Sequence, residues 1–104
     1  MRVQLLYFPG CPNVVESRAA LQKSLATCGL QLNVEEVDVT APDTPKHLQG
    51  WGSPTILIDG KDVADQVAGE GASCRVYRGE GQITRGVPSE KMIRRALTPP
   101  RGSE

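Results

Sequence analysis

Apolar positions in this chain fall into strand-length runs and one long helical stripe, separated by Pro and Gly. Residues 2–8, RVQLLYF, form a near-continuous apolar run. That is the pattern of a strand buried on both faces. Pro9-Gly10 ends it. A helix is predicted to begin at once. Cys11 takes the N-cap position and Pro12 the first helical position, where a missing N–H costs nothing. Val14, Leu21, Leu25 and Cys28 then recur at spacings of seven, four and three, a single stripe of helical period. Gly29 is placed to close the helix just past its last residue.

The second half is more punctuated. Residues 31–39, QLNVEEVDV, predict a second strand. Thr40 to Gly50 contains prolines and predicts one or two helical turns near Pro45 to Leu48. Thr55 to Ile58 predicts a third strand. Asp59-Gly60 is a strong two-residue hairpin signal, so a return strand is expected near Lys61 to Val63. Residues 64–73, ADQVAGEGAS, predict a loop, and Cys74 to Arg78 another extended piece. Ser89 as N-cap, then Met92, Ile93, Ala96 and Leu97, predict a last helix. The order is β-α-β-(α)-β-β-α. Strands one and two, joined by a helix, are parallel through a right-handed crossover. Strands three and four form an antiparallel hairpin. The fold class is α/β, with a mixed central sheet. One domain is expected over residues 1–97, with 98–104, TPPRGSE, as a disordered tail.

Composition narrows the function classes. Twelve Lys+Arg against twelve Asp+Glu leave no net charge, so neither nucleic acid nor an anionic membrane surface is an expected partner. No apolar stretch approaches the roughly 20 residues that span a bilayer. The N-terminus lacks a secretory signal pattern, and a cytoplasmic monomer without cofactor is the expectation. Three irregularly placed cysteines make no disulfide framework.

Each cysteine is then core or chemistry. Cys11, at a helix N-terminus, faces unpaired N–H groups and the positive end of the helix dipole, which favour the reactive thiolate. Ser, Thr, Asp or Asn would be better plain caps. Cys28 lies on the apolar stripe, roughly 25 Å along the helix from Cys11, and reads as core. Cys74 depends on the hairpin. If Lys61 to Ala64 returns along the Pro54 strand, the Gly-rich loop leaves Cys74 within reach of Cys11. If Cys74 to Arg78 is itself the partner strand, Cys74 starts at the far end of the sheet. Asp59-Gly60 favours the first arrangement. His47 reads as a surface residue. Trp51, three residues before Pro54, reads either as a wall of a substrate groove or as core. Cys11 and Arg18 are one residue too far apart for a phosphatase loop, and no cysteine spacing matches a zinc site.

A strand, then Pro-Gly-Cys-Pro opening a helix, then Gly-Ser-Pro-Thr leading a strand into Asp-Gly: this resembles the thioredoxin-like superfamily over roughly residues 2–97. With GCPN, GSPTILIDG and SCRxY, the chain looks most like small "thioredoxin family" proteins sometimes labelled alkylmercury-lyase-like. The resemblance implies a three-layer sandwich of about four strands flanked by helices. It implies that Cys11 is the active-site cysteine and that Pro54 follows a cis bond and faces it. Ser53, Pro54, Pro12 and Trp51 would bind substrate. Val14 stands where a second helix cysteine would be, and Leu5 where thioredoxins carry a buried acid. The expected function is thiol–disulfide exchange on a disulfide or thiol substrate, with Cys11 attacking and Cys74 or an external thiol resolving. The alternatives are a trap for a soft ion such as Hg(II) or Cu(I) on Cys11 and Cys74, or an adaptor without turnover.

Overall fold

The computed structural model describes residues 1–64, 77–78 and 84–97. Chain order is β1 (Val3–Tyr7), α1 (Val14–Thr27), β2 (Val34–Asp38), a 3-10 turn (Lys46–Leu48), β3 (Thr55–Ile58), β4 (Lys61–Asp62), β5 (Tyr77–Arg78), β6 (Thr84–Arg85) and α2 (Glu90–Leu97). A mixed four-stranded sheet runs β2-β1-β3-β4. β1 is parallel to β2 and antiparallel to β3, and β4 returns antiparallel along β3. β5 and β6 pair as a separate antiparallel ribbon. The expected loop from 65 onward, Cys74 and the tail at 98–104 lie outside the described residues.

Strand alternation sorts the core into two halves. Val3 and Leu5 of β1 and Ile56 and Ile58 of β3 face one way. They pack with Val14, Leu21 and Leu25 of α1 and with Ile93 and Leu97 of α2. Leu6 and Leu57 face the other way, against Val39, Leu48 and Trp51. Leu5, Leu6, Leu21, Ile56 and Ile93 are fully buried, each contributing about 1.5–3 kcal/mol of burial free energy. Both α-helices among the described residues therefore cover one face. The second face is covered by a stretch whose only regular element is the 3-10 turn, where the sequence predicted one or two helical turns.

Local signals account for most element ends. Gly29 has φ +70°, its N–H donates to Ala26 O (3.1 Å), and Leu30 N–H donates to Leu25 O (2.9 Å). These two bonds are the Schellman closure that a glycine in this position permits. Asp59 (φ 51°) and Gly60 (φ 83°) make the two-residue turn between β3 and β4, with both residues in the left-handed region a type I′ turn needs. Ser89 Oγ accepts the Met92 N–H (3.1 Å) and caps α2.

The start of α1 differs from expectation. Its N-cap is Asn13, not Cys11, and the first helical residue is Val14, not Pro12. The cause lies in the preceding turn. Gly10 adopts φ +89° and the Cys11 N–H closes on Phe8 O (3.2 Å). The chain must leave that turn before the helical ladder opens with Ser17 N–H to Asn13 O (3.1 Å). The second strand also starts later than expected, at Val34, and Leu30 and Leu32 ahead of it pack against the core beside α1. Among the described residues, no helix is long and apolar enough to cross a membrane.

Candidate functional site

The β1–β3 register places Leu6 opposite Thr55. The chain beyond Leu6 runs through Tyr7, Phe8 and the Pro9-Gly10 turn to Cys11. The chain before Thr55 is Ser53-Pro54. The Cys11 turn and Ser53-Pro54 therefore share one end of the sheet. The Ser53–Pro54 peptide bond is cis, as the Gly-Ser-Pro-Thr motif led us to expect. Thr55 Oγ1 donates to Gly52 O (2.7 Å) and closes the turn that carries this pair.

Cys11 is a free thiol, 8% exposed, seated at the margin of the helix-side core with Val14. Pro12 beside it is exposed. Ser53 is fully buried, and its hydroxyl has no hydrogen-bond partner among the described residues. Trp51 belongs to the core on the other sheet face, packed with Leu6, Leu48 and Leu57. Of the two readings of Trp51, the packing answers to core. Cys74 lies outside the described residues. The hairpin on which its placement depended is the β3–β4 pairing, not a β3 pairing with residues 77–78.

Two further residues frame this end of the sheet. Tyr77 is buried and donates its hydroxyl to the Pro54 carbonyl oxygen. Ile56 O accepts the Val63 N–H (3.0 Å) on the β4 side of β3. Pro54 O, two residues earlier, points to the same edge by strand alternation. The Tyr77 hydroxyl thus donates on the β4 side of the sheet, just ahead of the first residue of β3. On the other flank, Gly86 packs against Asn13, so that a Cβ at Gly86 would lie 2.2 Å from Asn13 Nδ2. Neither residue carries a local signal of its role. The only hint is the tyrosine of SCRxY, which sits in a polar, Gly-rich stretch with no other reason to be apolar.

The remaining candidates lie elsewhere. His47 is exposed on the 3-10 turn. Cys28 is half-buried at the C-cap of α1, the opposite end of that helix from Cys11. Near it, a groove of about 580 Å³ runs between the end of α1 and the start of β2, bounded by Leu25, Leu30, Leu32, Val34 and Glu36. Glu36 at its rim is held by Arg18 through two 2.7 Å hydrogen bonds, and these hold its carboxyl below the usual glutamate value. Among the described residues, no three His, Cys, Asp or Glu side chains gather as a metal site. Compared with known proteins, the chain matches no family model, no curated protein and no solved structure.

Proposed function

We propose that this domain is a thioredoxin-like thiol–disulfide exchange protein with Cys11 as its nucleophile. The observation that carries the reading is the shared sheet end of the Cys11 turn and Ser53-Pro54, set by the Leu6–Thr55 register. A nucleophilic sulfur needs a second wall to hold the incoming disulfide, and Ser53-Pro54 is that wall. The Cys11 thiolate attacks one sulfur of a substrate disulfide. A Cys11–substrate disulfide forms, the substrate S–S bond breaks, and the departing sulfur leaves as thiolate and takes a proton from water. A second thiol then attacks Cys11 Sγ. Where this is Cys74, a Cys11–Cys74 disulfide forms, the substrate leaves fully reduced, and an external dithiol must reset the protein. Where it is a small-molecule thiol, that thiol becomes disulfide-bonded to Cys11 and a second equivalent frees it.

The test is single-turnover reaction of the reduced protein with an aromatic disulfide, followed by mass mapping. The expected result is one adduct on Cys11 and none in Cys11→Ser, with Cys28→Ser unchanged. Tight stoichiometric uptake of Hg(II) with no disulfide reaction would transfer the assignment to a soft-metal trap.

A further inference from the structure

We propose that Tyr77 is a positioning residue for this site, and that the β5–β6 ribbon is the brace that aligns Ser53-Pro54 with Cys11. The inference rests on the proposed exchange activity and assigns the alignment of its disulfide substrate. The ribbon is tied to both sides of the site. At β5, the buried Tyr77 donates to Pro54 O, a contact spanning 23 residues of chain. Just after β6, Gly86 abuts Asn13, the N-cap of the helix that follows Cys11. From there Val87 and Pro88 are buried and lead into Ser89 and α2. One two-stranded ribbon therefore touches the wall on the β3 side and the helix on the nucleophile side.

The physical argument concerns alignment. Thiol–disulfide exchange proceeds with three sulfurs near a line, so the wall that holds the substrate must keep its distance from Cys11 Sγ. Misplacement by about 1 Å is enough to cost orders of magnitude in such a step. Pro54 heads β3 at a point where β4 has already ended at Asp62. Strand ends open before strand middles; β1 holds this one on one edge, through the pairing of Leu6 with Thr55. The Tyr77 hydroxyl donates to the Pro54 carbonyl on the other edge. A small alkylating reagent needs no such wall, because it approaches the sulfur from any open direction.

Tyr77→Phe removes the hydroxyl and keeps the ring that fills the site. Two rates are measured at Cys11 in the reduced full-length protein: exchange with oxidised glutathione and alkylation by iodoacetamide. Exchange is expected to fall about tenfold while alkylation stays within about twofold. Gly86→Ala, whose Cβ displaces the Asn13 side chain that the ribbon abuts, gives the same pattern with a smaller loss. Unchanged exchange in Tyr77→Phe, or both rates changing in parallel, would overturn the proposal. Hydrogen exchange separates the two claims. If wild-type protein reacts with iodoacetamide but with no disulfide, the proposed activity fails, and the Thr55 amide still decides the role of Tyr77. Loss of about tenfold in its protection supports the brace, and unchanged protection removes it.

Discussion

Gly86 sits so close to Asn13 that any side chain at position 86 would displace the asparagine: a Cβ there would meet Nδ2 at 2.2 Å and Cγ at 2.7 Å. The atoms in the way belong to the end of a rotatable side chain, and Asn13 makes no side-chain cap bond that anchors it. Gly86→Ala is therefore expected to destabilise by about 1 kcal/mol, the low end of overpacking costs. Asn13→Ala alone costs less than an ordinary cap removal, because there is no cap hydrogen bond to lose. The double variant recovers most of the Gly86→Ala loss, since the clash has gone. Urea denaturation of all four proteins measures the coupling. Additive losses would show that the two residues do not meet.

Arg18 and Glu36 join α1 to β2 through a two-pronged contact, Nε to Oε2 and Nη2 to Oε1, both 2.7 Å. The hydrogen bonds from Arg18 lower the Glu36 carboxyl below its ordinary value of 4.5. A lowered folded-state pKa stabilises the fold above the unfolded value, and that stability disappears as pH falls through the folded value. Both side chains are about a third exposed, so solvent screening keeps the contribution of the pair small. Between pH 6 and pH 3 the Tm of the wild type is expected to fall more steeply than that of Glu36→Gln. Parallel curves would mean the pair contributes nothing to stability.

Much of this fold was legible because its signals are local. Gly29 and Asp59-Gly60 announce positive φ, Ser89 announces a cap, and Thr55–Ile58 is a short apolar run bounded by turn residues. Each fixes a boundary without reference to the rest of the chain. The opening of α1 is ambiguous in the sequence, because Pro12 also suits a turn. Gly10 at φ +89° builds that turn first, and sequence alone does not rank the two. The β6 strand is two residues, too short to display a period of two. At the site, the pairing of Pro54 with Cys11 is implied by the resemblance that Pro-Gly-Cys-Pro and Gly-Ser-Pro-Thr carry, while the register that brings both to one sheet end is visible only in the fold. Tyr77 and Gly86 escaped notice because their roles are contacts across long stretches of chain, with no spacing rule that relates Tyr77 to Pro54 or Gly86 to Asn13.

Ser17 lies in the interior of α1, fully buried, with no hydrogen-bond partner for its hydroxyl among the described residues. Its neighbour one turn pair onward, Ser24, donates to Ala20 O (2.8 Å) and is satisfied. A buried hydroxyl without a partner costs free energy, and serine is a poorer helix former than alanine. Ser17→Ala is expected to stabilise by about 0.5–1 kcal/mol, raising Tm by about 4 °C. Ser24→Ala lacks the first of these gains and is expected to be close to neutral. A lower Tm for Ser17→Ala would mean that its hydroxyl holds a partner that matters to the fold.

Cys11 and Cys28 offer an internal competition between reactivity and exposure. Cys11 is 8% exposed, whereas Cys28 is half-buried at the far end of α1. Access alone would let Cys28 react first. The proposed function requires the reverse order toward disulfides. Cys11 sits on a turn, next to an exposed Pro12 and two residues ahead of the N-cap of α1. In the proposed function Ser53-Pro54 holds the incoming disulfide against Cys11, while Cys28, the C-cap, lies at the opposite end of the helix. In a Cys74→Ser background at neutral pH, Cys11 is expected to form the mixed disulfide with oxidised glutathione several-fold faster than Cys28. Iodoacetamide, which depends more on access, narrows the gap. Quenching at timed intervals and counting adducts by peptide mass gives both rates from one sample. If Cys28 leads with both reagents, the Ser53-Pro54 wall confers no advantage on Cys11, and the nucleophile of this domain is not Cys11.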